Sequence, residues 1–323
     1  MGAPYVARED DFMKRIMLKV AYDGTNYCGW QIQPTGLTVE EVLNDKLSAL
    51  LHEEIHVLGV SRTDSGVHAL GNLCVFDTES QIPAEKMAFA LNQSLPDDIV
   101  IQSSCEVPEG FHPRKCDSVK TYEYVIYNGK VPDPTRSRYT HFFYQPLNVE
   151  AMRKAAAYLV GEHDFKSFCS AHSDKENTVR TLTGIEIEIS EIQQKIVTPQ
   201  EKIVTSQEKI VKTGEIEGKI QEKIVKTGEI EGEIQEKIVK SFRDAGDTPY
   251  EPGLRPARII TIRISGTGFL YNMVRIIVGT LLRIGTGFWE PEKMQEILDA
   301  KDRNAAGPKA PACGLTLMGI RFL

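Results

Sequence analysis

The segment Arg62-Thr63-Asp64-Ser65-Gly66-Val67-His68 places a guanidinium, a carboxylate and an imidazole within seven residues. An ionised carboxylate can attack carbon or stabilise a developing positive charge. The plain alternative is a turn, because Asp-Ser-Gly after an apolar strand commonly accepts backbone N–H bonds. Arg62 and Asp64 are two apart, so in an extended strand end they lean the same way. That crowding of ionisable groups singles out the segment without fixing a reaction.

Two further runs carry candidates. Arg275 lies among Met273, Val274, Ile276, Ile277 and Val278 in a stretch that reads as a buried helix. A guanidinium there needs an anionic partner, since its charge is costly to desolvate. A structural ion pair or a snorkelling side chain is the competing reading. In Lys120-Thr121-Tyr122-Glu123-Tyr124-Val125-Ile126-Tyr127, the side chains of Tyr122, Tyr124 and Ile126 share one strand face. Taken alone they read as packing, although a tyrosine on an RNA-binding surface can stack on a base.

The elements that must position these residues follow from periodicity. Ile16 to Tyr22 reads as a strand closed by Asp23-Gly24, and Thr38 to Glu41 as a capping box opening a helix through Leu51. Ile55–Val60 and Asn72–Phe76 read as strands around the Asp64 loop. Pro83 opens a helix to about Leu95, and Ile99–Val107 returns as a strand. The second part repeats the logic: strand Thr121–Tyr127, helix Val149–Leu159 capped by Asn148, then alternating strands Thr183–Ser190 and Arg258–Ser265. Helices Leu270–Ile284 and Pro291–Ala300 and a last strand Leu315–Phe322 complete it. The expected class is α+β: two split-βαβ, ferredoxin-like halves with mainly antiparallel sheet and a central cleft. The expected organisation is an N-terminal extension over 1–14, a half over 15–115 with the carboxylate, and a half over 116–323.

That second half is interrupted at about 191–242 by a seven-residue repeat, QKIVTPQ, EKIVTSQ, EKIVKTG, EIEGKIQ, EKIVKTG, EIEGEIQ, EKIVKSF, running from Gln194. Glu208–Gln221 and Glu222–Gln235 differ only at Lys219 versus Glu233, which suggests recent tandem duplication. Gly214, Gly218, Gly228 and Gly232 argue against a coiled coil. Extension of a hairpin tip is expected, with disorder as the rival and no part in function.

Bulk properties restrict the class. The 323 residues suffice for a large core, and the net charge of −7 is awkward for an RNA-binding protein. A basic groove can nonetheless sit on an acidic body. Six scattered cysteines without a C-x-x-C pair suggest neither a zinc site nor a disulfide framework. Charges in the first 14 residues argue against a signal peptide, and no apolar run is long enough for a bilayer. A cytoplasmic protein without cofactor or metal is expected.

In order along the chain, Tyr22-Asp23-Gly24, Gly29-Trp30-Gln31, Arg62-Thr63-Asp64-Ser65-Gly66-Val67-His68-Ala69 and Phe111-His112-Pro113-Arg114 resemble the tRNA pseudouridine synthase A family. So do Lys120 to Tyr124, His163-Asp164-Phe165-Lys166-Ser167-Phe168, Met273-Val274-Arg275 and Gly314-Leu315. Ser61 departs from it, where the family usually has glycine. The resemblance implies the pseudouridine synthase fold and isomerisation of uridine to pseudouridine at positions 38, 39 and 40 of the tRNA anticodon stem-loop. It implies Asp64 as nucleophile, through direct attack on C1′ or a glycal-type intermediate, and Arg275 as its partner. Tyr122 would stack on the flipped base, Arg62 would fill the gap left by the nucleotide, and Arg180 and Leu315 would lie near substrate. A homodimer with tRNA across both subunits is implied too. Arg114, Lys115, Lys120, Arg136 and Arg138 are candidate phosphate contacts. A silent RNA-binding module and an unrelated enzyme on a ferredoxin-like scaffold are the competing classes.

Overall fold

The computed structural model describes residues 13–170, 177–192 and 256–323. The repeat falls outside them, as does the first part of the N-terminal extension. Among the described residues, contacts group those up to 191 with 258–323 as a first compact unit.

Within the first unit a ten-stranded sheet carries the site. Its first part contains β1 (Lys14–Tyr22), β2 (Leu58–Gly59), β3 (His68–Thr78) and β4 (Ile99–Val107), with α1 (Val39–Leu51) and α2 (Met87–Asn92) between them. Its second part contains β5 (Ser118–Asn128), β6 (His141–Phe143), β7 (Gly161–Asp164), β8 (Val179–Glu191), β9 (Arg258–Gly266) and β10 (Leu315–Phe322). Helices α3 (Val149–Ala157), α4 (Met273–Gly285) and α5 (Lys293–Ala300) belong to that part. The order is β4-β1-β3-β10-β5-β9-β8-β7, with β2 also on β3 and β6 on β5. The run β4-β1-β3-β2 and the run β10-β5-β9-β8 each have the strand order of a split βαβ unit. They join where β3 and β10 run parallel at Thr316↔His68 and Leu317↔Ala69; β5 and β6 are also parallel, and the remaining pairs are antiparallel.

Alternation explains the strands. In β5, Tyr122, Tyr124 and Ile126 are buried, as are Ile260, Ile262 and Ile264 opposite them in β9. The intervening Thr121, Glu123 and Arg263 instead pair across the other face, Arg263 bridging Glu123 at 2.9 Å and Glu186 at 3.3 Å. Helix α1 starts where Thr38 accepts from the Glu41 N–H at 3.3 Å and buries Val39, Leu43, Leu47 and Leu51. Asn148 caps α3 by accepting from Ala151 N–H at 3.1 Å.

Strand β3 begins at His68, four residues before the periodicity places it, and three other boundaries that differ have a cause in named residues. The stretch 55–60 forms a strand only at Leu58–Gly59, because α1 side chains satisfy its earlier amides: Ser48 accepts from Ile55 and Asn44 from Val57. The helix after Pro83 begins as a 3-10 turn and stops at Asn92, whose amide bonds both N–H and C=O of Ile101 on β4. Helix α4 starts at Met273, not Leu270, because Asn272 is left-handed at φ 60°.

Candidate active site

Asp64 sits in a tight turn leading into β3. Val67 N–H donates to Asp64 C=O at 3.1 Å, and Gly66 takes φ +76°, a conformation that favours glycine. The loop is held from below by Tyr27 and Trp30: Gly66 N–H donates to Tyr27 C=O, and Trp30 N–H to Thr63 C=O. Gly29, at φ +88°, allows this approach, since a Cβ there would stand 2.5 Å from the Thr63 carbonyl oxygen.

A cleft of about 890 Å³ opens above the turn. Its lining includes Arg62, Asp64, Tyr122, Arg275 and Leu315, drawn from the β3 approach, β5, α4 and the start of β10. The site thus lies at the seam between the halves. Arg62, Arg114, Lys120 and Arg275 line it, and Asp64 is its one carboxylate among the described residues. An acidic chain therefore has a cationic cleft.

Arg275 is fixed from two sides. Its Nε donates to Ala310 C=O at 2.8 Å and its Nη1 to Asn272 Oδ1 at 3.1 Å. The same Nη1 stands 3.6 Å from Asp64 Oδ2, an ion pair in which the side chains are 11% and 19% exposed. The buried guanidinium thus has its anion. Asn272 spends its side chain on Arg275 and on Ser170, to whose Oγ it donates at 2.8 Å, instead of capping α4.

Burial raises the Asp64 pKa above the usual carboxylate value, while the charges of Arg275 and Lys309 act in the opposite direction. Burial also pushes the Tyr122 phenol up to about 12, so it is neutral at physiological pH. The Tyr122 hydroxyl lies 2.9 Å from Ser61 Oγ, and Phe269 packs edge-on against its ring with centroids 5.1 Å apart. Leu315 is buried where β10 pairs with β5.

Other candidates are placed elsewhere. Arg180 does not line the cleft: it donates to the Asn177 and Val179 carbonyls, and its Cδ would lie 3.3 Å from a Cβ on Gly268. His68 turns to Gly24, whose N–H donates to Nδ1 at 3.1 Å, and packs on Tyr139. Arg136 pairs with Asp133 and Arg138 with Asp23, and neither lines the cleft, nor does Lys115. Periodicity gave no hint of Asn272, Phe269 or Lys309. A glycine inside an apolar helix was the available signal for the Lys309 segment, because a Cβ on Gly279 would overlap the Pro308 carbonyl.

A family model described as tRNA pseudouridine synthase matches residues 19–114 and 155–322, well over half the chain. The chain belongs to the tRNA pseudouridine synthase family. Its relatives include the tRNA pseudouridine synthase A of Brevibacillus brevis, 40% identical over 310 residues, covering 96% of this chain and all of the relative. The protein of that name from Thermoanaerobacter sp. (strain X514) is 37% identical with the same coverage. The tRNA pseudouridine synthase A 2 of Clostridium perfringens is 36% identical, again over 96% of this chain and 100% of the relative. Membership of this family makes the chain an isomerase and gives the cleft a chemistry to perform. No helix among the described residues is long and apolar enough to cross a membrane.

Proposed function

We propose that this chain converts uridine to pseudouridine in the anticodon stem-loop of tRNA, with Asp64 as nucleophile and no cofactor. The observation that carries this reading is the Asp64–Arg275 pair at 3.6 Å, set in a cationic cleft beside a buried tyrosine. Breaking a glycosidic bond without a metal calls for a carboxylate that attacks carbon or stabilises a cationic sugar. Both direct attack on C1′ and a route through a glycal start from ionised Asp64. Arg275 and Lys309 favour that ionised form against the burial that opposes it.

The remaining residues divide the other tasks. The target nucleotide must leave its stack to reach Asp64. Tyr122 stacks on the extruded base, Leu315 supports it from the seam, and exposed Arg62 occupies the gap in the RNA. Once the C1′–N1 bond has broken and the base has turned, C5 bonds to C1′ and loses its proton while N1 gains one, so the product is an isomer of the substrate. Arg114 and Lys120 are assigned to backbone phosphates at the cleft, and Arg180 to RNA beyond its edge. We place the enzyme in the cytoplasm, as a homodimer with tRNA lying across both subunits.

Tritium release from tRNA labelled at uridine C5, with no added cofactor, tests the reading. Release in proportion to pseudouridine formed is the expected result. Tight tRNA binding with no release would instead establish a silent RNA-binding module.

A further inference from the structure

Beneath the Asp64 loop runs a chain of buried polar groups that the chemistry above does not use. Asn72 on β3 is fully buried and holds the Ser61 backbone at both ends: its Nδ2 donates to Ser61 C=O at 2.9 Å, and its Oδ1 accepts from Ser61 N–H at 3.3 Å. The same Oδ1 accepts from Leu73 N–H at 3.0 Å, and Nδ2 also reaches Tyr22 Oη at 3.4 Å. Tyr22 Oη lies in turn 2.7 Å from Thr63 Oγ1. Ser61 and Thr63 are thus anchored inward, while Arg62 and Asp64 project to the cleft. Alternation alone would allow this arrangement; the buried amide pins its register.

The chain has one branch toward the substrate cleft, from Ser61 Oγ to the Tyr122 hydroxyl. Ser61 is 5% exposed and Tyr122 7%. Backbone pairing with Leu317 and Ile264 fixes the Tyr122 main chain, and Phe269 braces the ring edge. The phenol tip meets Ser61. We propose that Ser61 is a positioning residue, whose hydroxyl ties the Tyr122 ring to the loop that carries Asp64. This contact helps register the two groups that must meet one nucleotide, one from each half of the sheet. A glycine at this position would supply no such hydroxyl.

The inference rests on the uridine isomerisation proposed above, and the test separates the two. Single-turnover tritium release is measured for wild type, Ser61→Ala and Ser61→Thr, together with tRNA affinity by filter binding and thermal melting. Ser61→Ala is expected to slow release by about tenfold, the scale of one lost buried hydrogen bond, with affinity nearly unchanged and melting lowered because the buried Tyr122 hydroxyl loses its partner. Ser61→Thr, which keeps the hydroxyl, recovers most of the rate. In a Tyr122→Phe background, Ser61→Ala should add no further loss, because the hydroxyl then has nothing to hold. Ser61→Ala at the wild-type rate overturns the proposal, as does further slowing in the Phe background. A wild type that releases no tritium refutes the isomerase reading instead.

Discussion

Replacing Arg275 by methionine keeps a long flexible side chain on α4 but removes the charge. At 3.6 Å, two unit charges attract by about 4–5 kcal/mol at an effective dielectric of about 20, and by about half that where cleft water doubles the screening. If this attraction is what keeps Asp64 ionised for reaction, its loss lowers kcat/KM by up to roughly 50- to 2,000-fold, the full factor being reached only at pH below the acid limb. The pH dependence identifies the mechanism. Burial already raises the Asp64 pKa, and removing Arg275 takes away the largest opposing influence, so the acid limb of the rate profile moves to higher pH. The deficit should therefore be greater near about pH 6 than near about pH 9, where base restores the carboxylate. Arg275→Lys retains a charge without the fork that reaches both Ala310 and Asn272, so its acid limb should lie between the other two. The substitution to methionine also leaves the Ala310 carbonyl without its side-chain donor, which costs about 1–3 kcal/mol of stability and is read separately by thermal melting. Tritium release across pH measures the rest. A loss below about threefold, or one independent of pH, would refute the claim that Arg275 acts by holding Asp64 ionised.

Other substitutions probe the same geometry. Asp64→Asn should abolish tritium release while leaving tRNA affinity nearly intact in filter binding. Because the folded pKa of Asp64 is raised, its linked stability is present below the ordinary carboxylate range and is lost as pH rises through the folded value. The same variant should therefore melt higher than wild type at neutral pH. Asn272→Gly keeps the left-handed backbone and Asn272→Ala does not, so alanine should be less stable by about 1 kcal/mol in melting, with tritium release reduced equally in both because each removes the Arg275 contact. Joining the ends of β8 and β9, whose last pair is Glu191↔Arg258, by a short turn in place of about residues 193–240 and their flank should leave tritium release largely unchanged. A large loss there would assign the repeat a role.

The strands that build the seam were legible because their side chains alternate against one core. Thr121–Tyr127 and Arg258–Ser265 carry isoleucine and tyrosine at every second position, and these are the positions the fold buries. Pattern reading failed where side chains replace backbone partners. Ser48, Asn44 and Asn92 satisfy amides of neighbouring segments, so β2 shortens and α2 stops early; no hydrophobic period encodes such bonds. The short β6 and β7 leave too few residues for any period to show. At the site, the crowding of ionisable groups around Asp64 and the apolar surroundings of Arg275 marked both as candidates, and the fold brings them within 3.6 Å of each other. Asn272 was not, because a polar residue ahead of a helix reads as a cap, and here its side chain serves Arg275 instead.

The charge of −7 that argued against an RNA partner is resolved by where the cations are placed. Exposed acids such as Glu150 and Glu186 lie on helix and strand faces, where they bridge Arg153 and Arg263. The cleft instead concentrates Arg62, Arg114, Lys120 and Arg275 around one carboxylate. Burial opposes ionisation of Asp64, and gathering the cations is costly as well: loss of solvent, and then the guanidinium of Arg62, lower the Arg114 pKa. In the proposed complex, RNA phosphates would relieve the repulsion among these cations and would also weaken their field at Asp64. Arg275 escapes that compromise because Ala310 and Asn272 hold it on the protein side of the cleft, facing Asp64. On the proposed function, the outer cations serve the phosphates while the inner one serves the carboxylate. On this division of labour, salt weakens tRNA binding through Arg62, Arg114 and Lys120, whereas the single-turnover rate of the bound complex stays nearly constant.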